Sequence, residues 1–86
     1  MRLTIKGKVQ GVFFRATAKD IADELGINGW VKNLPDRNVE IKATATEAIL
    51  QKFIDWCKQG PSKARVDEVI VEELSAEEFN GFRIIR

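Results

Sequence analysis

Along residues 2–9 the chain alternates, with Leu3, Ile5, Gly7 and Val9 on one side and Arg2, Thr4, Lys6 and Lys8 on the other. A period of two with one apolar side predicts a strand that buries one face. The period then changes. Over residues 14–25, Ala18, Ile21, Ala22 and Leu25 recur at helical spacing, and Gly26 supplies a helix stop. Residues 28–33 predict a second strand, Pro35-Asp36-Arg37-Asn38 a turn, and Val39 to Ala45 a third strand alternating through Ile41 and Ala43. Thr46 offers an N-cap to a second helix of about a dozen residues, whose apolar side carries Ile49, Leu50, Phe53, Ile54 and Cys57. Gly60-Pro61 ends it, Val66 to Glu72 predicts a fourth strand, and Gly81 to Arg86 a short fifth.

The order is β-α-β-β-α-β with one strand added. Two amphipathic helices and a half-buried sheet are accommodated most simply as an α+β, ferredoxin-like split βαββαβ sandwich. In that arrangement an antiparallel sheet carries both helices on one face and the short fifth strand at an edge. Eighty-six residues, 44% of them apolar, make one domain spanning 1–86. A chain this short buries only roughly two-thirds of its unfolded surface, so nearly every apolar residue belongs to the core.

Charge removes several function classes. With 14 basic and 13 acidic residues interspersed, net charge is +1, which argues against recognition of duplex nucleic acid or an anionic membrane by bulk charge. No apolar stretch approaches the ~20 residues of a membrane span. The alternating N-terminus is unlike the apolar segment of a signal peptide, and a single cysteine fits a reducing cytoplasm. A cytoplasmic monomer is expected. The sequence has no histidine and no tyrosine, and Cys57 is followed by Lys63 rather than arginine at the spacing of a cysteine-phosphatase loop. Any chemistry proceeds without imidazole, phosphohistidine or a His-ligated metal.

The segment Gly7-Lys8-Val9-Gln10-Gly11-Val12-Phe13-Phe14-Arg15 joins the first strand to the first helix. Loop amides at a helix N-terminus form an anion-binding concavity, and an arginine in the first turn adds a fork that fits two phosphate oxygens. The Walker pattern is absent. A glycine turn beside a solvated arginine fits the same residues, and the segment alone does not separate the two readings.

A second motif does. Val9-Gln10-Gly11-Val12-Phe13-Phe14-Arg15 resembles the signature of the acylphosphatase family, and Gly29-Trp30-Val31-Lys32-Asn33 resembles its second signature, with Arg15 and Asn33 at the matching separation. Fainter similarities continue through Gly60-Pro61 with Ala64 and Val66, and through Phe79-x-Gly81-Phe82-x-Ile84. Two positions depart from the pattern: Phe13 and Arg37 stand where many members carry glycine. In the second case Asn38 or Arg37 must take the left-handed conformation, which asparagine adopts more readily.

The resemblance implies hydrolysis of acyl phosphates to a carboxylate and inorganic phosphate, with no cofactor or metal. It assigns the phosphoryl grip to Arg15 and the amides of Gln10, Gly11, Val12, Phe13 and Phe14, and the attacking water to Asn33. The residues suit that task. A carboxylate leaves unprotonated, so no general acid is needed, and a carboxamide both donates to and accepts from a water without deprotonating it. Inorganic phosphate and sulfate are expected to compete for the same loop. Trp30, Trp56 and Cys57 read as packing residues, Lys8 and Lys32 as solvated, and Glu72, Glu73, Glu77 and Glu78 as surface. An RNA-recognition domain shares the element order, but the third strand has no stacking aromatic. The nearer rival is a domain that binds acyl or carbamoyl phosphate without turnover, as in the N-terminal portion of hydrogenase-maturation carbamoyltransferases.

Overall fold

The computed structural model describes residues 1–75 and 77–86. Strand β1 (Arg2–Lys8) leads to helix α1 (Phe14–Leu25), followed by β2 (Asn28–Asn33) and β3 (Val39–Thr44). Helix α2 (Glu47–Gln59), β4 (Arg65–Glu72) and β5 (Phe82–Ile85) complete the order. The five strands form one sheet in the order β4-β1-β3-β2-β5. The α+β, ferredoxin-like arrangement is the one the periodicity predicts. The sheet is nevertheless mixed, because β5 runs parallel to β2 while every other neighbouring pair is antiparallel.

Burial follows the alternation. Leu3 and Ile5 of β1, Val31 of β2, and Val39, Ile41 and Ala43 of β3 are buried in one core with Phe14, Ala18 and Ala22 of α1 and Leu50, Phe53, Ile54 and Cys57 of α2. Val9 belongs to the same core although β1 ends at Lys8, one residue short of the predicted strand. Trp56 packs tilted on Phe14 at 5.3 Å between ring centroids and near-parallel to Phe53 at 6.1 Å. Trp30 is half-buried on the sheet's outer face, where Lys32 Nζ stands 5.0 Å from its ring centroid, so it takes no part in the helix-covered core. The Cys57 thiol is fully enclosed, and burial pushes its pKa far up, which leaves it inert.

Both helices stop at glycine, but they start differently. The N–H of Gly26, at φ 72°, bonds back to Ala22 and Asp23, and Gly60 N–H bonds to the Trp56 carbonyl. Thr46 caps α2 by accepting from Ile49 N–H, and Glu47 places a carboxylate in its first turn. Helix α1 has no side-chain cap and no acid in its first turn. Among the described residues, no helix is long and apolar enough to cross a membrane.

Gly29 sits where three strands meet, opposite Ala43 on β3 and Phe82 on β5. Its φ is 148°, and a Cβ there would land on the carbonyl of Lys42. Neither backbone can retreat without breaking the ladder on its other side. Gly29→Ala is therefore expected to cost about 2–4 kcal/mol, from overpacking together with an excluded backbone conformation, read as a lower denaturant midpoint at unchanged slope.

Candidate functional site

Between β1 and α1 the chain makes a curl. Gly11 has φ 74° and Phe13 φ 63°, with Val12 between them in the ordinary negative range. Left-handed residues alternating with right-handed ones turn successive N–H groups toward one side, the arrangement that forms an anion nest. No backbone N–H from Gln10 to Ala16 has an acceptor among the described residues. The first α1 amides belong to this set, because the opening turn of any helix lacks intrahelical partners. Bare amides and the positive end of the α1 dipole thus face the same side.

Arg15 stands in this first turn, half-buried, with no ion-pair or hydrogen-bond partner among the described residues. A cation at that end of a helix costs about 0.3–1 kcal/mol, and a bound anion would reverse the sign. Thr17 steadies the turn, its backbone N–H at 3.0 Å and its hydroxyl at 2.8 Å from the Phe13 carbonyl.

Asn33 arrives from the other side. It is the last residue of β2, paired with Val39 before the chain turns. Its Oδ1 is buried and has no hydrogen-bond partner among the described residues. A buried acceptor left unpaired costs about 1–3 kcal/mol, a cost that a hydrogen bond from a molecule held at this position would remove. Arg15 and Asn33 line one cavity of about 280 Å³ with Gly11, Phe13 and Phe14. No carboxylate side chain lines it.

The remaining two loop residues lie elsewhere. Val12 is 6% exposed and faces the core. Gln10 turns its side chain away from the cavity and donates from Nε2 to the carbonyls of Leu34 at 2.9 Å and Asn38 at 2.8 Å. Only the backbone amides of Gln10 and Val12 remain as candidate anion contacts. The Gln10 carboxamide clamps the loop to the β2–β3 turn that follows Asn33, a role that sequence reasoning missed. Phe13 is 74% exposed at the cavity rim in a conformation that favours glycine. In the turn it is Arg37, not Asn38, that takes the left-handed conformation, at φ 73°. Asp36 Oδ1 accepts from Asn38 N–H, and the Asn38 carbonyl serves both Leu34 N–H and Gln10, which commits Asn38 to its geometry. Ile84 and Arg86 also reach the cavity. Neither was singled out in the sequence as a site residue, although the alternation of Phe82 and Ile84 places Ile84 on the inward side of β5 and Arg86 follows that strand.

The chain is similar to known proteins in both sequence and fold. A family model described as Acylphosphatase matches residues 1–84. A relative from Marinobacter nauticus named acylphosphatase is 50% identical over 82 residues, covering 94% of this chain and 89% of its own. The solved acylphosphatase of Coxiella burnetii superposes with a TM-score of 0.94 at 39% identity, covering 98% of this chain and 88% of that one. Full-length HypF, solved in a phosphate- and nucleotide-bound form, superposes at 0.88 with 30% identity, over 99% of this chain but 11% of that one.

The clamp generates a directional expectation. Gln10→Ala removes two hydrogen bonds, while both carbonyls keep a backbone donor, so a loss of about 1–2 kcal/mol is expected. Gln10→Glu should cost more, because an ionised carboxylate has no proton to give and would face two carbonyl oxygens. Thermal melts of the three proteins at neutral pH check that order; equal melting for Glu and Gln would contradict the clamp.

Proposed function

Because the chain belongs to the acylphosphatase family, we propose that it hydrolyses acyl phosphates to a carboxylate and inorganic phosphate with Arg15, the loop amides and Asn33, and without a metal. The observation that carries this reading is the pairing, on one cavity, of an unpartnered guanidinium with a buried, unpartnered carboxamide oxygen.

The phosphoryl group lies in the nest, its equatorial oxygens taking N–H groups of Gln10 to Phe14 and the fork of Arg15. These donors are fixed before substrate arrives and require little reorganisation as charge develops in the transition state. Water, oriented by the Asn33 carboxamide, attacks phosphorus in line with the acyl oxygen. The P–O bond to the acyl group breaks, and its electron pair leaves on the carboxylate. The proton of the attacking water passes to a phosphoryl oxygen, so no side-chain base is used. Among the described residues no cluster of three or more His, Cys, Asp or Glu side chains could hold a metal ion. Activity is expected to survive exhaustive EDTA treatment, and inorganic phosphate and sulfate should inhibit competitively.

A second reading has specific support in the likeness to HypF, where a region of this size is one part of a far longer chain. In that reading the domain binds acyl or carbamoyl phosphate without turning it over. Benzoyl phosphate hydrolysis separates the two, since the second reading expects phosphate binding with no catalysed hydrolysis.

The two side chains should leave different kinetic marks. Arg15→Gln should weaken phosphate inhibition and nearly abolish turnover, and Arg15→Lys should not restore it, because an ammonium cannot reproduce the two-pronged grip. Asn33→Ala should keep phosphate affinity within a few-fold while kcat falls about 10²–10³-fold, roughly 3–4 kcal/mol. Steady-state kinetics on variants shown to be folded check this. Near-normal turnover in Asn33→Ala would reduce Asn33 to a turn residue.

A further inference from the structure

A second concavity, of about 440 Å³, lies at the N-terminal end of the same loop, lined by Gly7, Lys8, Val9, Gln10, Arg37 and Arg65. Its three cations come from three parts of the fold: the last residue of β1, the β2–β3 turn and the first residue of β4. Lys8 and Arg65 are direct partners in the antiparallel ladder. Like charges opposed across neighbouring strands destabilise the pair. Asp67 relieves Arg65 in part, with Oδ1 3.0 Å from Nε and Oδ2 3.4 Å from Nη2. Lys8 and Arg37 have no ion-pair partner among the described residues, and no acidic side chain lines the concavity.

Arg37 also holds the left-handed backbone conformation that a glycine would take without strain. Two costs therefore coincide at one surface: opposed like charges, and a strained residue whose side chain adds a third cation. A chain of net charge +1 concentrates positive potential here rather than spreading it. A bound anion offsets the repulsion between the like charges, and the guanidinium forks and the ammonium suit several oxyanion groups at once.

We propose that this concavity is a second anion site, distinct from the Arg15 cavity, that binds a small oligoanion bearing two or more phosphate or carboxylate groups. The assignment does not rest on the chemistry at Arg15. Gln10 lines the concavity while its side chain holds the β2–β3 turn, so an occupant would sit against the clamp between the loop and Asn33.

The test uses Arg15→Gln protein, in which the phosphoryl grip is weakened, titrated with inorganic tripolyphosphate at ~0.15 M salt, where exposed charges are screened beyond about 8 Å. Amide NMR shifts should follow a saturable single-site isotherm and concentrate at residues 7–10, 36–38 and 65–67. Adding Lys8→Ser and Arg37→Gly should weaken binding by about tenfold or more, the loss expected for two charge-assisted contacts. Arg37→Gly relieves backbone strain, so the variant should fold, and circular dichroism checks that it does. Citrate in a parallel titration distinguishes the source: tighter binding of tripolyphosphate assigns phosphate, tighter binding of citrate assigns polycarboxylate, and either supports the site. Shifts confined to residues 11–16, a response that never saturates, or unchanged affinity in the folded triple variant would overturn it.

Discussion

The Gln10 carboxamide spans a gap that the sheet cannot close. Strands β1 and β2 are not neighbours, because β3 lies between them. No ladder bond fixes how far the loop after β1 stands from the end of β2. Gln10 reaches across the start of β3, to Asn38 just before that strand and to Leu34 just after β2. Two short bonds from one side chain thereby set the separation between the bare amides on one side and Asn33 on the other. In the proposed reaction that separation orients the attacking water on the phosphoryl group, and a shift of about 1 Å can cost a factor of ~100 in rate.

The positive potential of the site owes little to the chain's overall charge. It is assembled from partial charges on backbone amides and the α1 terminus, with the guanidinium groups of Arg15 and Arg86 on the same cavity. Helix α2 is the internal control: its N-terminus is satisfied by Thr46 and balanced by Glu47. The same fold thus silences one helix end and leaves the other open, and the difference lies in the residues around each start rather than in helix geometry.

Much of this was legible in the sequence. The period-two runs of β1 and β3 and the helical spacing of α1 and α2 reported burial directly, because core-facing positions repeat with the backbone's own geometry. Two signatures at a fixed separation singled out Arg15 and Asn33, and the structure brings these two residues to one cavity. The direction of β5 was not, since alternation records which face is buried and not which way a strand runs. The clamp made by Gln10 was not legible, because its amide and its side chain point to different sides of the loop, and a sequence names the residue without saying which group is used. At the turn, the intrinsic preference of asparagine for the left-handed region yielded to three hydrogen bonds that hold Asn38 and leave the unusual conformation to Arg37.

The pairing of β1 carries a consequence for the making of the protein. The first strand lies between β3 and β4, with Leu3 opposite both Ile41 and Val71. All the residues that line or clamp the cavity before Ile84 are synthesised within the first half of the chain. The strand that launches the loop nevertheless lacks one neighbour until the last quarter has emerged from the ribosome. Contacts so distant in sequence close slowly, since the entropy of the intervening loop opposes them before any bond rewards them. Nascent chains therefore hold the pieces of the site without its geometry, and the competent form should appear in one late cooperative step.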